Sequence, residues 1–183
     1  MRRLFTAWIA LLLACSLTLG LLPCAIAVDS QIEDALEWAE ETAEDDTHGY
    51  SRYSRTGPNY DCSSFVSAAL MEAGFELEGY LSTSRMKSAL EELGFTVFRK
   101  GEVTVQRGDI LLNPRTHVEF CMGDGCCCAA HQNYDGRSGD RTGKEIQVRD
   151  QETCPFCKYQ QYTYVIRLLP KPVKEAESEQ ASE

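Results

Sequence analysis

His117-Val118-Glu119-Phe120-Cys121-Met122, then Gly123-Asp124-Gly125, then Cys126-Cys127-Cys128-Ala129-Ala130-His131 is the stretch on which the fold turns. Successive side chains of a strand point to opposite faces, so His117, Glu119 and Cys121 share one face while Val118, Phe120 and Met122 suit a core. Gly123-Asp124-Gly125 is a turn signal, and the stretch reads as an antiparallel hairpin. A three-residue loop would set Met122 opposite Cys126, Cys121 opposite Cys127, Glu119 opposite Ala129 and His117 opposite His131. The two imidazoles would then be cross-strand neighbours, roughly 5 Å apart at Cβ. A two-residue loop would pair His117 with Gln132 instead and separate them.

Working outward, period-two runs also occur at Phe95 to Arg99, Asp109 to Leu112, Glu145 to Arg149 and Tyr162 to Leu168, so six short strands are expected. Three helical patterns precede them. Ile32 to Glu44 carries a stripe of Ile32, Leu36, Ala39 and Ala43 and reads as a short surface helix. Asp61 suits the cap of a helix opened by Cys62, with Phe65, Val66, Ala69 and Leu70 buried and Gly74 as its stop. Ser82-Thr83-Ser84 precedes a third helix, Arg85 to Leu93, ending at Gly94. Helices followed by a mainly antiparallel sheet make an α+β fold, the N-terminal helices packed on the sheet.

Of 183 residues, 43% are hydrophobic, which suffices for one packed domain and excludes global disorder. The net charge of -10 argues against a nucleic-acid surface. Nine acids and no Lys or Arg fall within residues 28 to 50, a solvated helix face. Arg2 and Arg3, the uncharged run from Leu4 to Val28 and the exit Ala25-Ile26-Ala27 read as a secretory signal peptide cut after Ala27. The expected organisation is a signal peptide at 1–27, a catalytic domain at 28–170 and a disordered acidic tail at 171–183. The mature protein would be secreted or held at the cell surface, would meet a membrane only through its signal segment during export, and would be a monomer.

Removing the signal leaves seven cysteines, one of which, Cys62, stands alone in sequence. A thiol is activated at a helix N-terminus or beside a histidine that takes its proton, and the hairpin supplies two histidines downstream. For the other six, disulfides are favoured in an exported protein, with Cys121 to Cys127 a candidate pair. The alternative is a structural zinc site of Cys126, Cys128, Cys154 and Cys157, the last two forming a C-x-x-C. A non-catalytic binding module stapled by zinc or disulfides is the rival to an enzyme.

Tyr60-Asp61-Cys62-Ser63-Ser64-Phe65-Val66, followed by Gly108-Asp109-Ile110-Leu111-Leu112 and His117-Val118, closely resembles the NlpC-type papain-like cysteine peptidases that cut bacterial peptidoglycan. Ala130 to Arg137 and Gly143 to Ile146 look in addition like the phage-lysin branch of that group. The resemblance spans roughly residues 45 to 168. It implies Cys62 as nucleophile, His117 as general base and His131 as the polar residue that orients it, with Tyr50 near the oxyanion site. Asp61 and Ser63 match positions that in some members contact the substrate's amino end; for Asp61 a plain helix cap is the other reading, and both roles are compatible. The chain departs from its relatives in carrying Arg55-Thr56-Gly57-Pro58 where Trp-Gly-Gly is common, and in having Cys121 and Cys126 to Cys128. The implied partner is peptidoglycan, cleaved at an amide of the peptide stem, with an N-acetylmuramoyl-L-alanine amidase as the alternative. No cofactor is implied.

Overall fold

The computed structural model of the chain describes residues 29–131, 145–150 and 152–170. The expected signal peptide and tail lie outside the described residues, and among these no helix is long and apolar enough to cross a membrane. Three helices come first: α1 (Ser30–Glu44), α2 (Cys62–Glu72) and α3 (Thr83–Glu92). They precede β1 (Thr96–Arg99), β2 (Ile110–Asn113), β3 (His117–Gly123), β4 (Cys126–Ala130) and β5 (Ile146–Asp150). A short helix, α4 (Pro155–Lys158), and a last strand, β6 (Tyr164–Arg167), complete the order. The strands form one sheet, β1-β6-β2-β3-β4-β5, in which every ladder is antiparallel. This is the expected α+β architecture, with α4 added.

The helix cores follow from side-chain spacing. In α1, Ile32, Ala35, Leu36, Ala39 and Thr42 are buried, so the helix packs against α2 and the sheet and is more than the surface element its acidic face suggests. Helix α2 is apolar nearly all round, and its first nine residues, Cys62 to Leu70, are buried, as expected of a helix covered on every side. It stops where Gly74 takes φ +84°, a left-handed turn that L side chains rarely adopt. Phe65 stacks against Trp38 of α1 with ring centroids 5.7 Å apart.

Each face of the sheet has its own core. On the helix side lie Ile110, Leu112, Val118, Phe120, Met122, Cys128 and Ile166 with the residues of α1 to α3. On the other side Leu111, Cys121, Cys127 and Val165 gather Cys154, Phe156, Cys157 and Tyr162. The alternation read from β3 is therefore the one observed. Buried Asp109 joins strands as well: Arg167 of β6 grips its carboxylate at 2.6 and 2.8 Å, and the Gln106 amide donates to it at 2.9 Å. The Gly-Asp opening of β2 is thus a clamp on the last strand.

The hairpin differs from expectation in an instructive way. Gly123, not Met122, pairs with Cys126, and the loop is the two-residue Asp124-Gly125 with φ of 49° and 77°, the conformation of a tight primed turn. Alone it would have moved the register by one. A bulge between Cys121 and Gly123 absorbs the extra residue, so Cys121 faces Cys127 and Phe120 faces Cys128. Continued to the strand ends, this register puts His117 opposite His131, the pairing expected from the wrong loop length. Arg107 supports the bulge by donating to the Met122 carbonyl at 2.7 Å.

Candidate functional site

Cys62 is the first residue of α2 and lies in a cleft of about 340 Å³ lined also by Tyr50, Arg52, Arg55, Asp61, Ser63, Ser82, Thr83, Arg115 and Thr116. Asp61 caps this helix as expected: its Oδ1 accepts from the Ser64 amide at 2.8 Å, and the Ser64 hydroxyl accepts from the Asp61 amide at 2.9 Å. This reciprocal box fixes the helix start, and with it the sulfur. Tyr50 reaches the cleft through a parallel bridge to Tyr60, next to the cap.

The floor beside Cys62 is the N-terminal end of β3. His117 and Cys62 lie within side-chain hydrogen-bonding reach of one another. The rings of His117 and His131 are 4.3 Å apart at their centroids, with their Nε2 atoms 3.3 Å apart. Between and beneath them sits Glu119, wholly buried, whose Oε1 is 3.0 Å from His117 Nε2 and 2.8 Å from His131 Nε2. Phe156 of α4 meets the His117 ring edge-on at 4.9 Å. The structure thus brings Cys62, His117 and His131 together, with Tyr50, Asp61 and Ser63 around the cleft.

Sequence reasoning placed Glu119 on the face of His117 but assigned it no part. The signal was available, because an acid two residues along from a histidine on a buried strand needs partners to be tolerated. Its effect on protonation is large. Burial alone would raise the Glu119 carboxyl, yet hydrogen bonds from the two imidazoles prevail and hold it far below the usual carboxylate range. Burial likewise opposes charge on His117, but hydrogen bonds to Cys62 and Glu119 outweigh it and hold the ring up at about 9. His131 moves the other way, lowered by burial and by the positive His117 beside it despite the carboxylate. Of the two imidazoles, His117 is the one that holds the proton.

Asp61 has a further partner. Arg55 Nε lies 2.8 Å from Oδ2 and Nη2 donates to Oδ1 at 3.0 Å; the same Nη2 donates to Ser63 Oγ at 2.9 Å and the Leu81 carbonyl at 2.6 Å. The residue that stands in the unusual Arg55-Thr56-Gly57-Pro58 segment therefore occupies the lone pairs of Asp61 that face the cleft. With Arg52 and Arg115 also on its wall, the cleft has a cationic lining.

A family model described as bacteriophage peptidoglycan hydrolase matches residues 31–125, just over half of the chain. The chain belongs to this family of bacteriophage-type peptidoglycan hydrolases. No curated protein matches the hydrolase. The matched segment of this peptidoglycan hydrolase holds Cys62, His117 and Glu119 and ends before Cys126, so β4 to β6, His131 and the C-x-x-C lie beyond it.

The remaining cysteines of the hydrolase divide between the two faces of its sheet, and all seven in the described residues are free thiols. Cys121 and Cys127 are register partners, as expected, but the Cys127 sulfur turns to Cys157, 3.1 Å away. The grouping of Cys126 and Cys128 with Cys154 and Cys157 is not assembled. Cys126 and Cys128 lie on the helix side, where Cys128 donates weakly to the Ala39 carbonyl at 3.7 Å, while Cys154 and Cys157 lie on the opposite side with Cys127. The alternation of faces along β4 explains this: adjacent residues point to opposite sides, so a set that takes Cys127 cannot take its neighbours. Crowding among these sulfurs separates their protonation. Hydrogen bonds from Cys127 and Cys157 press the Cys154 thiol down, and Cys127 is pushed up, chiefly by donating to Cys154.

Proposed function

We propose that this peptidoglycan hydrolase is an exported cysteine peptidase that cleaves an amide bond of the peptide stem, with Cys62 as nucleophile, His117 as general base and His131 as the residue that helps orient it. The observation that carries the reading is the meeting of a helix-opening thiol with the His117 imidazole at one end of an open cleft. A sulfur at a helix start faces unpaired N-H groups and the positive end of the peptide dipoles, which favour its anionic form. Glu119 and His131 hold the far side of the His117 ring, so the ring is directed at the sulfur.

In this mechanism the Cys62 proton rests on His117, and the sulfur attacks the amide carbon as a thiolate while the carbonyl π electrons move to oxygen. Backbone N-H groups at the start of α2, assisted by the Tyr50 hydroxyl, stabilise that oxyanion. Tyr50 suits a donor's role because burial first, and the nearby Cys62 second, raise its pKa and keep the phenol protonated. His117 then gives its proton to the departing amine as the C-N bond breaks, leaving a thioester on Cys62. Water, losing a proton to His117, attacks the thioester; the C-S bond breaks, a carboxylate product leaves and the thiol is restored.

The Arg55 pairing of Asp61 supports the second reading, an N-acetylmuramoyl-L-alanine amidase. An Asp61 already bound by a guanidinium is a poor receptor for a substrate's amino end, and a stem still joined to muramic acid through its first residue presents no N-terminal amine. Incubation with purified cell wall tests both. Wild type should release new amines, and Cys62→Ala should release none while keeping its circular dichroism. A folded wild type that releases no amine would leave a binding module as the better account. Mass analysis of the fragments separates the bonds: free muramic acid carboxyl groups mark the amidase, shortened stems the peptidase.

A further inference from the structure

The sulfur cluster beneath the histidines is not used by the mechanism above. Cys127 comes from β4, and Cys154 and Cys157 from the turn that begins α4. All three are buried on the sheet face away from the helices. Glu119 Oε2 lies 3.2 Å from the Cys154 sulfur and 3.3 Å from that of Cys157, and the Cys157 and Cys127 sulfurs are 3.1 Å apart. These four ligand atoms all lie within 4.8 Å of one another. Four ligands around a tetrahedral ion with metal-sulfur distances near 2.3 Å stand roughly 3.7 Å apart, so the cluster has the right size with small adjustments. Three thiols and a carboxylate in a dry site form a poor set by themselves, since anionic groups crowd together away from water. A divalent cation of borderline softness satisfies all four at once.

We propose that Cys127, Cys154, Cys157 and Glu119 form a structural site for a zinc-type divalent ion, closed by four protein ligands. Neither a lone disulfide nor a lone thiol accounts for this convergence: pairing any two sulfurs leaves the third buried against the Glu119 carboxylate. The site also has a consequence for the chemistry beside it, and this part rests on the proposed catalytic role of His117. Glu119 turns Oε2 toward the Cys154 and Cys157 sulfurs, while Oε1 meets the two imidazoles and also lies 3.3 Å from the Cys154 sulfur. The same turn that supplies Cys154 and Cys157 carries Phe156 onto the edge of the His117 ring. The ion therefore fixes both the acceptor behind His117 and the aromatic wall beside it, as outer-shell groups fix ligands at metal centres.

The test is elemental analysis of the full chain purified under reducing conditions from zinc-supplemented medium. About one zinc per chain is expected, falling at least tenfold in Cys154→Ser and in Cys127→Ser and unchanged in Cys126→Ser, whose sulfur lies on the other face. Should the serine variants fail to fold, cobalt(II) substitution of the Cys62→Ala chain gives a second readout: intense thiolate-to-cobalt absorption in the near ultraviolet and tetrahedral ligand-field bands in the visible. Metal-free wild type, zinc retained by Cys154→Ser, or an intact mass two hydrogens short from a Cys127 to Cys157 disulfide would each overturn the proposal. Metal content is independent of amine release. Zinc bound without hydrolysis would defeat only the proposed reaction, and hydrolysis without zinc only the site.

Discussion

The two faces of the sheet are built from the same strands and do different work. Toward α1, α2 and α3 the side chains are mostly hydrocarbon and aromatic, with Phe65, Phe120, Leu36 and Leu70 fully buried; their contribution is the non-directional one of apolar burial. Away from the helices the same strands present Glu119, Cys121 and Cys127, joined by Cys154, Cys157, His117 and His131. There each group depends on a particular partner at a particular distance. The lesson is that one face secures the scaffold while the other spends its burial on polar groups that tolerate little displacement.

Substitutions that separate stability from turnover would break or sharpen this division. The largest effect is expected for Phe65→Ala on the helix face: about 3 to 5 kcal/mol of unfolding free energy lost, by urea titration, for a fully buried ring next to Trp38. Molecules that remain folded should turn over at the wild-type rate. On the opposite face His131→Gln should lower kcat about ten- to a hundredfold in an amine-release assay, with the melting temperature nearly unchanged. A melting loss matching that of Phe65→Ala would erase the distinction.

At the junction of the two, Asp61→Ala should cost about 1 to 2 kcal/mol, because the helix loses its cap and Arg55 its carboxylate; it should also reduce turnover, since the cap holds the sulfur in place. Smallest is Glu33→Gln, which breaks the 2.8 Å pair with Arg107. Both partners are substantially exposed, so the stability change should stay below about 1 kcal/mol and shrink further in salt.

Much of this division could be read from the chain. Alternation along residues 117 to 122 assigned each side chain to its face, and Asp61 before an apolar helical stripe announced the cap that fixes Cys62. The His117 and His131 pairing was legible as an outcome but not in its cause: a bulge at Met122 compensates for the two-residue turn, and the Arg107 that bonds it is distant in sequence. Helix α4 escaped notice because four residues are too few to show a period. Cys127, rather than Cys126 or Cys128, joins the C-x-x-C for a related reason. In three consecutive cysteines the composition is uniform, and only the register of β3 against β4 tells which sulfur faces the turn.

The position of β6 between β1 and β2 carries one more implication. Among the described strands β1 has no hydrogen-bonded neighbour except β6, and the clamp on Asp109 comes from Arg167 at the end of that strand. A ribosome delivers β6 after every other described element, so the described sheet closes only once all its other strands have been made. Strand β1, made early, therefore waits for the last described strand before its ladder can form.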